Sequence, residues 1–152
     1  MTQPNAINHI SPIWSRSATI IAERGEGAYL YTTDGRKLLD FTCGIGVTNT
    51  GHAHPKVVAA IQEQAAKLIH GQANIVYHKP MMELVEELLP IIPSKLNSFF
   101  FSNSGAEILE GAVKLAKQAT KRTNVIVFSG SFHGRTHLTM SMTTSKTVYR
   151  VG

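Results

Sequence analysis

Cysteine is nearly absent from this chain of 152 residues, and Cys43 stands alone. A single thiol excludes an internal disulfide and a cysteine-rich zinc site, and it points to a reducing compartment. No apolar run approaches the ~20 residues of a membrane span. The opening MTQPNAINHISPIW lacks the charged-then-apolar pattern of a signal segment. Basic stripes are missing too. The formal net charge is +5, yet Arg36-Lys37 and Lys121-Arg122 are the only adjacent basic pairs, with no aromatic residues interleaved. Neither a membrane nor a nucleic acid is therefore an expected partner, and small anionic ligands suit the modest charge better. The composition, 43% hydrophobic and 16% charged, is that of an ordinary globular chain, and the expected location is the cytoplasm.

Several ligand signatures are also missing. In GIGVTNTGH, residues 44–52, Asn49 stands where a dinucleotide fingerprint needs its third glycine, and no Lys-Ser/Thr ending makes it a P-loop. Neither SNSGA nor GSFHG has the Gly-x-Ser-x-Gly spacing of a hydrolase elbow. His52 and His54 lie two apart, as ligands on a strand would, but no nearby acidic residue or cysteine completes a set. No metal is expected.

The elements that are present start after an irregular arm, residues 1–19. Asp34-Gly35 sits between two β-prone runs in GAYLYTTDGRKLLDF and predicts a hairpin, because both residues tolerate positive φ. A glycine-rich loop ends at Pro55, which suits a first helical turn, and the periodicity of 57–69 predicts the helix. A second helix is predicted over 80–89. Further on, strands over 96–101 and 125–128 flank a helix over 105–119, a βαβ unit that favours a parallel sheet. The expected division falls near residue 94, with an arm, hairpin and helices in 1–94 and the start of a larger α/β domain in 95–152.

Two stretches carry chemistry. In FFFSNSGAEILEGAVKLAK, Ser104 and Glu107 have the spacing of a capping box. That leaves Gly105 and Ala106 unexplained, and at a helix start their N–H groups and the helix dipole make an anion seat. The second stretch is SGSFHGRTHLTMSMT, residues 129–143. Phe132 is suited to stack on a planar ring, Arg135 to grip a carboxylate in a two-pronged pair, and Gly134 to allow close backbone approach. A solvent-exposed loop with a core phenylalanine and a surface arginine is the plainer alternative. If the two strands run parallel, both loops open on the same side and share one pocket.

GHAHPKVVAAIQEQ, FFFSNSGAEILEGAVKLAKQAT and VFSGSFHGRT together resemble the class III pyridoxal-phosphate aminotransferases. GIGVTNTGHAHP and YHKPMMELVEEL resemble the 4-aminobutyrate aminotransferase branch most. The resemblance implies a fold-type-I α/β architecture, with an N-terminal α+β segment and the incomplete start of a large mixed or parallel sheet, usually in a homodimer. It implies pyridoxal 5'-phosphate as cofactor. The Gly105 and Ala106 amides would hold its phosphate with Ser104 nearby, Phe132 would stack on its ring and His133 would lie beside it. Arg135 would take the carboxylate of an amino-acid substrate, and Ile45 would line the substrate pocket.

The sequence departs from the family pattern at Lys121 and Cys43, where glycine is common. Lys121 reads as a helix-surface or packing change, and Cys43 as a small reshaping of the pocket loop. The reaction also needs a lysine that holds the cofactor as a Schiff base and an acid against its ring nitrogen. Neither lies in these residues by resemblance, so no catalytic residue is assigned. The implied activity is transfer of an amino group from an omega-amino acid such as 4-aminobutyrate to a 2-oxo acid, with the chain as an N-terminal fragment. The alternatives are another class III reaction (ornithine or acetylornithine aminotransferase, or a semialdehyde aminomutase) and a non-catalytic chain that binds phosphate ligands or pairs with an intact subunit.

Overall fold

A computed structural model describes residues 5–13 and 16–150. Residues 1–4 and 14–15 of the expected arm lie outside them, and its described part holds a 3-10 helix, Asn5–His9. The chain divides into two compact units, Met1–His78 and Lys79–Gly152.

The first unit is built on an antiparallel sheet in the order β1 (Ala22–Glu26), β2 (Tyr29–Thr32) and β3 (Lys37–Leu39). The predicted hairpin is β2–β3, with Tyr29 opposite Leu39 and Tyr31 opposite Lys37. Strand alternation puts Tyr29 and Tyr31 on one face. There the Arg24 guanidinium lies 3.5 Å over the Tyr31 ring and the Lys37 ammonium 4.0 Å over Tyr29. β1 has no signal in the sequence. AERGE lacks β-branched residues, so pairing rather than propensity makes it a strand.

At the turn, only Gly35 takes positive φ, at 84°. Asp34 acts through its carboxylate instead, which accepts from Thr32 Oγ1 and pairs with Arg36 at 2.7 Å. The bond from Arg36, then that from Thr32, holds the Asp34 carboxyl down at about 2.

Beyond β3 the backbone turns left-handed. Cys43, Gly44, Ile45 and Gly46 have φ of 47°, 54°, 56° and 92° in succession. Ile45 N–H donates to Thr42 O at 2.8 Å and Gly46 N–H to Cys43 O at 3.0 Å, one turn of left-handed helix. Each non-glycine residue so placed costs about 1–2 kcal/mol, and a β-branched one is a genuine outlier. Helix α1, Pro55–Lys67, follows with Pro55 in its first turn, as predicted.

The second unit contains α2 (Lys79–Leu88), α3 (Gly105–Thr120) and α4 (His137–Met142). The predicted strands over 96–101 and 125–128 do not form. Both stretches lack a hydrogen-bonded ladder among the described residues, so the predicted βαβ unit and its parallel sheet are absent from them. Phe99 and Phe101 still stack, with ring centroids 6.2 Å apart, as i, i+2 side chains do on an extended chain. What is missing is a neighbour: a strand exists only when another strand takes its backbone bonds. Without one, Ile126 is 96% exposed and Phe128 88%. Among the described residues Val113 and Met142 are the only buried hydrophobic side chains.

Candidate cofactor cleft

The seam between 99–101 and α3 is capped in an offset way. Ser104 has extended backbone, φ −150°, and its Oγ accepts from Glu107 N–H at 3.2 Å. The returning half of the predicted capping box goes elsewhere: Glu107 Oε2 accepts from Asn103 N–H at 2.8 Å and Ser102 Oγ at 2.9 Å. Those bonds, Ser102 first, lower the Glu107 pKa. With Glu107 N–H bound to Ser104 Oγ and Ile108 N–H to Ser104 O, the Gly105 and Ala106 N–H groups have no acceptor among the described residues. A Cβ added at Gly105 meets nothing within 4 Å, so there is open space beside this helix start. Two free amides at the positive end of a 16-residue helix suit a phosphate.

The loop of residues 129–136 comes against this helix start. A Cβ added at Gly134, φ 132°, would lie 2.7 Å from Ala106 Cβ and 2.6 Å from Thr139 Oγ1, so only glycine permits the approach. Hydroxyls fasten the loop. Thr143, fully buried, accepts from His133 N–H at 3.0 Å and donates toward Gly134 O and Thr139 O. Thr144 Oγ1 accepts from Ser131 N–H, and Thr136 Oγ1 donates to Glu110 Oε1 on α3 at 2.6 Å. Thr136 and Thr139 form a reciprocal capping box that starts α4. The sequence reading treats 129–143 as loop throughout; the Thr-x-x-Thr spacing at 136–139 was the available signal for this short helix.

Ser104, Gly105, Ala106, Phe132, His133 and Arg135 thus border one cleft of about 580 Å³, together with Leu109, Gly134 and Thr136. The loops share it although, among the described residues, no sheet joins the segments before them. Phe132 is 53% exposed, and Tyr149 meets its ring edge-on at 5.2 Å. Arg135 is exposed, with no ion-pair partner among the described residues. Ile45 belongs to the other compact unit, where it is 98% exposed.

One interaction escapes the sequence reading. Beside the histidines read as lacking an acidic neighbour, Asp40 Oδ2 lies 2.8 Å from His52 Nε2. An acid just before the glycine-rich loop and a histidine just after it were the available signal. Among the described residues no group of three or more His, Cys, Asp or Glu side chains is placed to hold a metal. No helix among them is long and apolar enough to cross a membrane.

Two amides without an acceptor at a helix start, an aromatic face and an arginine thus border one cleft. The fold places that site in a class: residues covering 93% of this chain superpose with a TM-score of 0.86 and 31% identity on 35% of an adenosylmethionine-8-amino-7-oxononanoate aminotransferase from Methanocaldococcus jannaschii, a fold-type-I pyridoxal-phosphate enzyme. Residues 10–152 match the family described as aminotransferase class-III. The chain belongs to the class III aminotransferases, a pyridoxal-phosphate-dependent family of transferases. A protein of Bacillus subtilis (strain 168) described as a probable 4-aminobutyrate aminotransferase is 48% identical over 87% of this chain and 30% of its own length. An acetylornithine aminotransferase of Archaeoglobus fulgidus is 42% identical over 89% of this chain and 35% of its own. The chain therefore spans about a third of the length of these relatives.

Proposed function

We propose that this chain supplies the cofactor seat of an aminotransferase that moves an amino group from an omega-amino acid such as 4-aminobutyrate to a 2-oxo acid. The observation that carries the reading is the single cleft joining the free Gly105 and Ala106 amides to Phe132 and Arg135. The amides and the α3 dipole hold the phosphate, with Ser104 fixing the helix start that aims them. Phe132 covers one face of the ring and His133 lies beside it. Arg135 pairs with a substrate carboxylate. Ile45 lines the substrate pocket, a role supported by the family resemblance alone. When bound, pyridoxal 5'-phosphate supplies an electron sink for the carbon that exchanges its amino group. The division near residue 94, the homodimer and the cytoplasmic location belong to the same proposal.

The test is calorimetric titration of the chain with pyridoxal 5'-phosphate and, separately, with pyridoxal. The phosphorylated form should bind and the other should not, and Phe132→Ala should weaken binding about fivefold, near the ~1 kcal/mol of an aromatic pair. Equal binding of the two forms, or none, counts against the seat. A second reading, acetylornithine as amino donor, is supported by the Archaeoglobus relative and uses the same residues.

A further inference from the structure

The left-handed turn at 43–46 is bracketed by one carboxylate. Asp40 Oδ1 accepts from Thr42 N–H at 2.8 Å and from Thr42 Oγ1 at 2.6 Å, at the start of the loop. Its other oxygen, Oδ2, takes His52 Nε2 at 2.8 Å, at the loop's end. The side chain of Asp40 is 5% exposed and that of His52 18%, against a loop whose residues are otherwise almost all exposed. The bonds from Thr42 and then His52 hold the Asp40 carboxyl down at about 2, so it is an acceptor only and His52 Nε2 is the donor. The backbone of His52 is fixed as well, exchanging N–H and C=O with Gly27 at 2.7 and 3.0 Å.

The surrounding sequence makes room for this clasp. A Cβ at Gly25 would stand 2.6 Å from both Cβ and Cγ of His52, and a Cβ at Gly51, φ 90°, would stand 3.3 Å from the Gly27 backbone. Strain of the kind held at 43–46 persists only where its surroundings over-determine it. Among the described residues the turn is exposed, so what holds it is its own backbone bonds, Thr48 N–H to Cys43 O at 3.0 Å included, and the ties at its ends.

We propose that Asp40 and His52 are positioning residues, a two-ended clasp that locks the Cys43–Gly46 turn in its left-handed form and holds the Ile45 side chain outward. That Ile45 then faces the carbon chain of an amino-acid substrate rests on the function proposed above; the locking of the turn does not.

Cys43, the only cysteine, is exposed within the turn and takes a nitroxide spin label without further mutation. Electron paramagnetic resonance of the labelled chain should show one slow, hindered component. His52→Leu should convert it to a spectrum dominated by a fast component, and His52→Gln, which keeps an N–H donor, should restore the slow one. Thr42→Val removes the hydroxyl bond and leaves the Thr42 N–H on Asp40, so it carries the test if His52→Leu fails to fold; a partial fast component should appear there. A hindered spectrum unchanged in whichever of these variants folds, or a His52→Gln spectrum as fast as that of His52→Leu, overturns the proposal. Loss of pyridoxal phosphate binding by the parent chain with these spectra as expected would overturn the cofactor reading alone.

Discussion

The loop at 42–51 and the loop at 129–136 both follow extended segments and carry glycines, yet they are fastened by different chemistry. The first accepts a strained backbone and is gathered on one ionised carboxylate, Asp40. The second is held by neutral threonine and serine hydroxyls, with Gly134 allowing contact with α3. A charged tie concentrates several bonds on one group and titrates. Hydroxyl ties are individually weaker and mostly insensitive to pH, but when buried they are costly to leave half-made.

Three measurements press on that contrast. The largest effect is expected at Thr143, because valine there strands the His133 N–H and the Gly134 carbonyl in a buried place. Thr143→Val should lower unfolding stability by about 2–3 kcal/mol, read as a shifted urea midpoint. Next comes acid. The Asp40 carboxyl sits near 2 when folded and near 3.8 otherwise, so its contribution is complete above about 3.8 and disappears as pH falls through about 2. Hydrogen exchange at the Thr42 amide should speed up in that window, while exchange at the His133 amide, bound to a hydroxyl, should show no such step. Exchange that changes equally at both amides would erase the contrast. The smallest effect is Ile45→Gly, which should stabilise the chain by about 1 kcal/mol in the same urea assay, since the exposed side chain loses no packing and the left-handed cost is relieved.

Much of the candidate cleft was legible in the sequence, because a helix start after a small polar knot and a Phe-His-Gly-Arg loop are local patterns. Local too were the hairpin at 34–35 and the three longer helices. The strands over 96–101 and 125–128 were not settled by their residues, since a ladder depends on neighbours that local pattern does not name. Backbone handedness was hidden as well. The two departures from the family's glycine pattern, Cys43 and Lys121, both occupy left-handed positions, with φ of 47° and 60°. Lys121 is exposed, as a surface change would be, and it is also the C-cap of α3: its N–H closes on Lys117 O at 2.9 Å. The Asp40–His52 pair had only a weak signal, an acid and a histidine flanking the loop, because the path of the loop brings them together across twelve residues.

The hairpin turn has a consequence for the chain's chemical ageing. Aspartate followed by glycine is prone to cyclise, as the glycine nitrogen attacks the side-chain carbonyl and the backbone rearranges to an isoaspartyl link. Here the Gly35 N–H is committed to Thr32 O at 3.0 Å, and the Asp34 carboxyl is kept ionised, and so a poor electrophile, by Arg36 and Thr32. The fold that Asp34-Gly35 helps to form thereby shields that dipeptide from its own characteristic damage, and only the unfolded chain is left open to it.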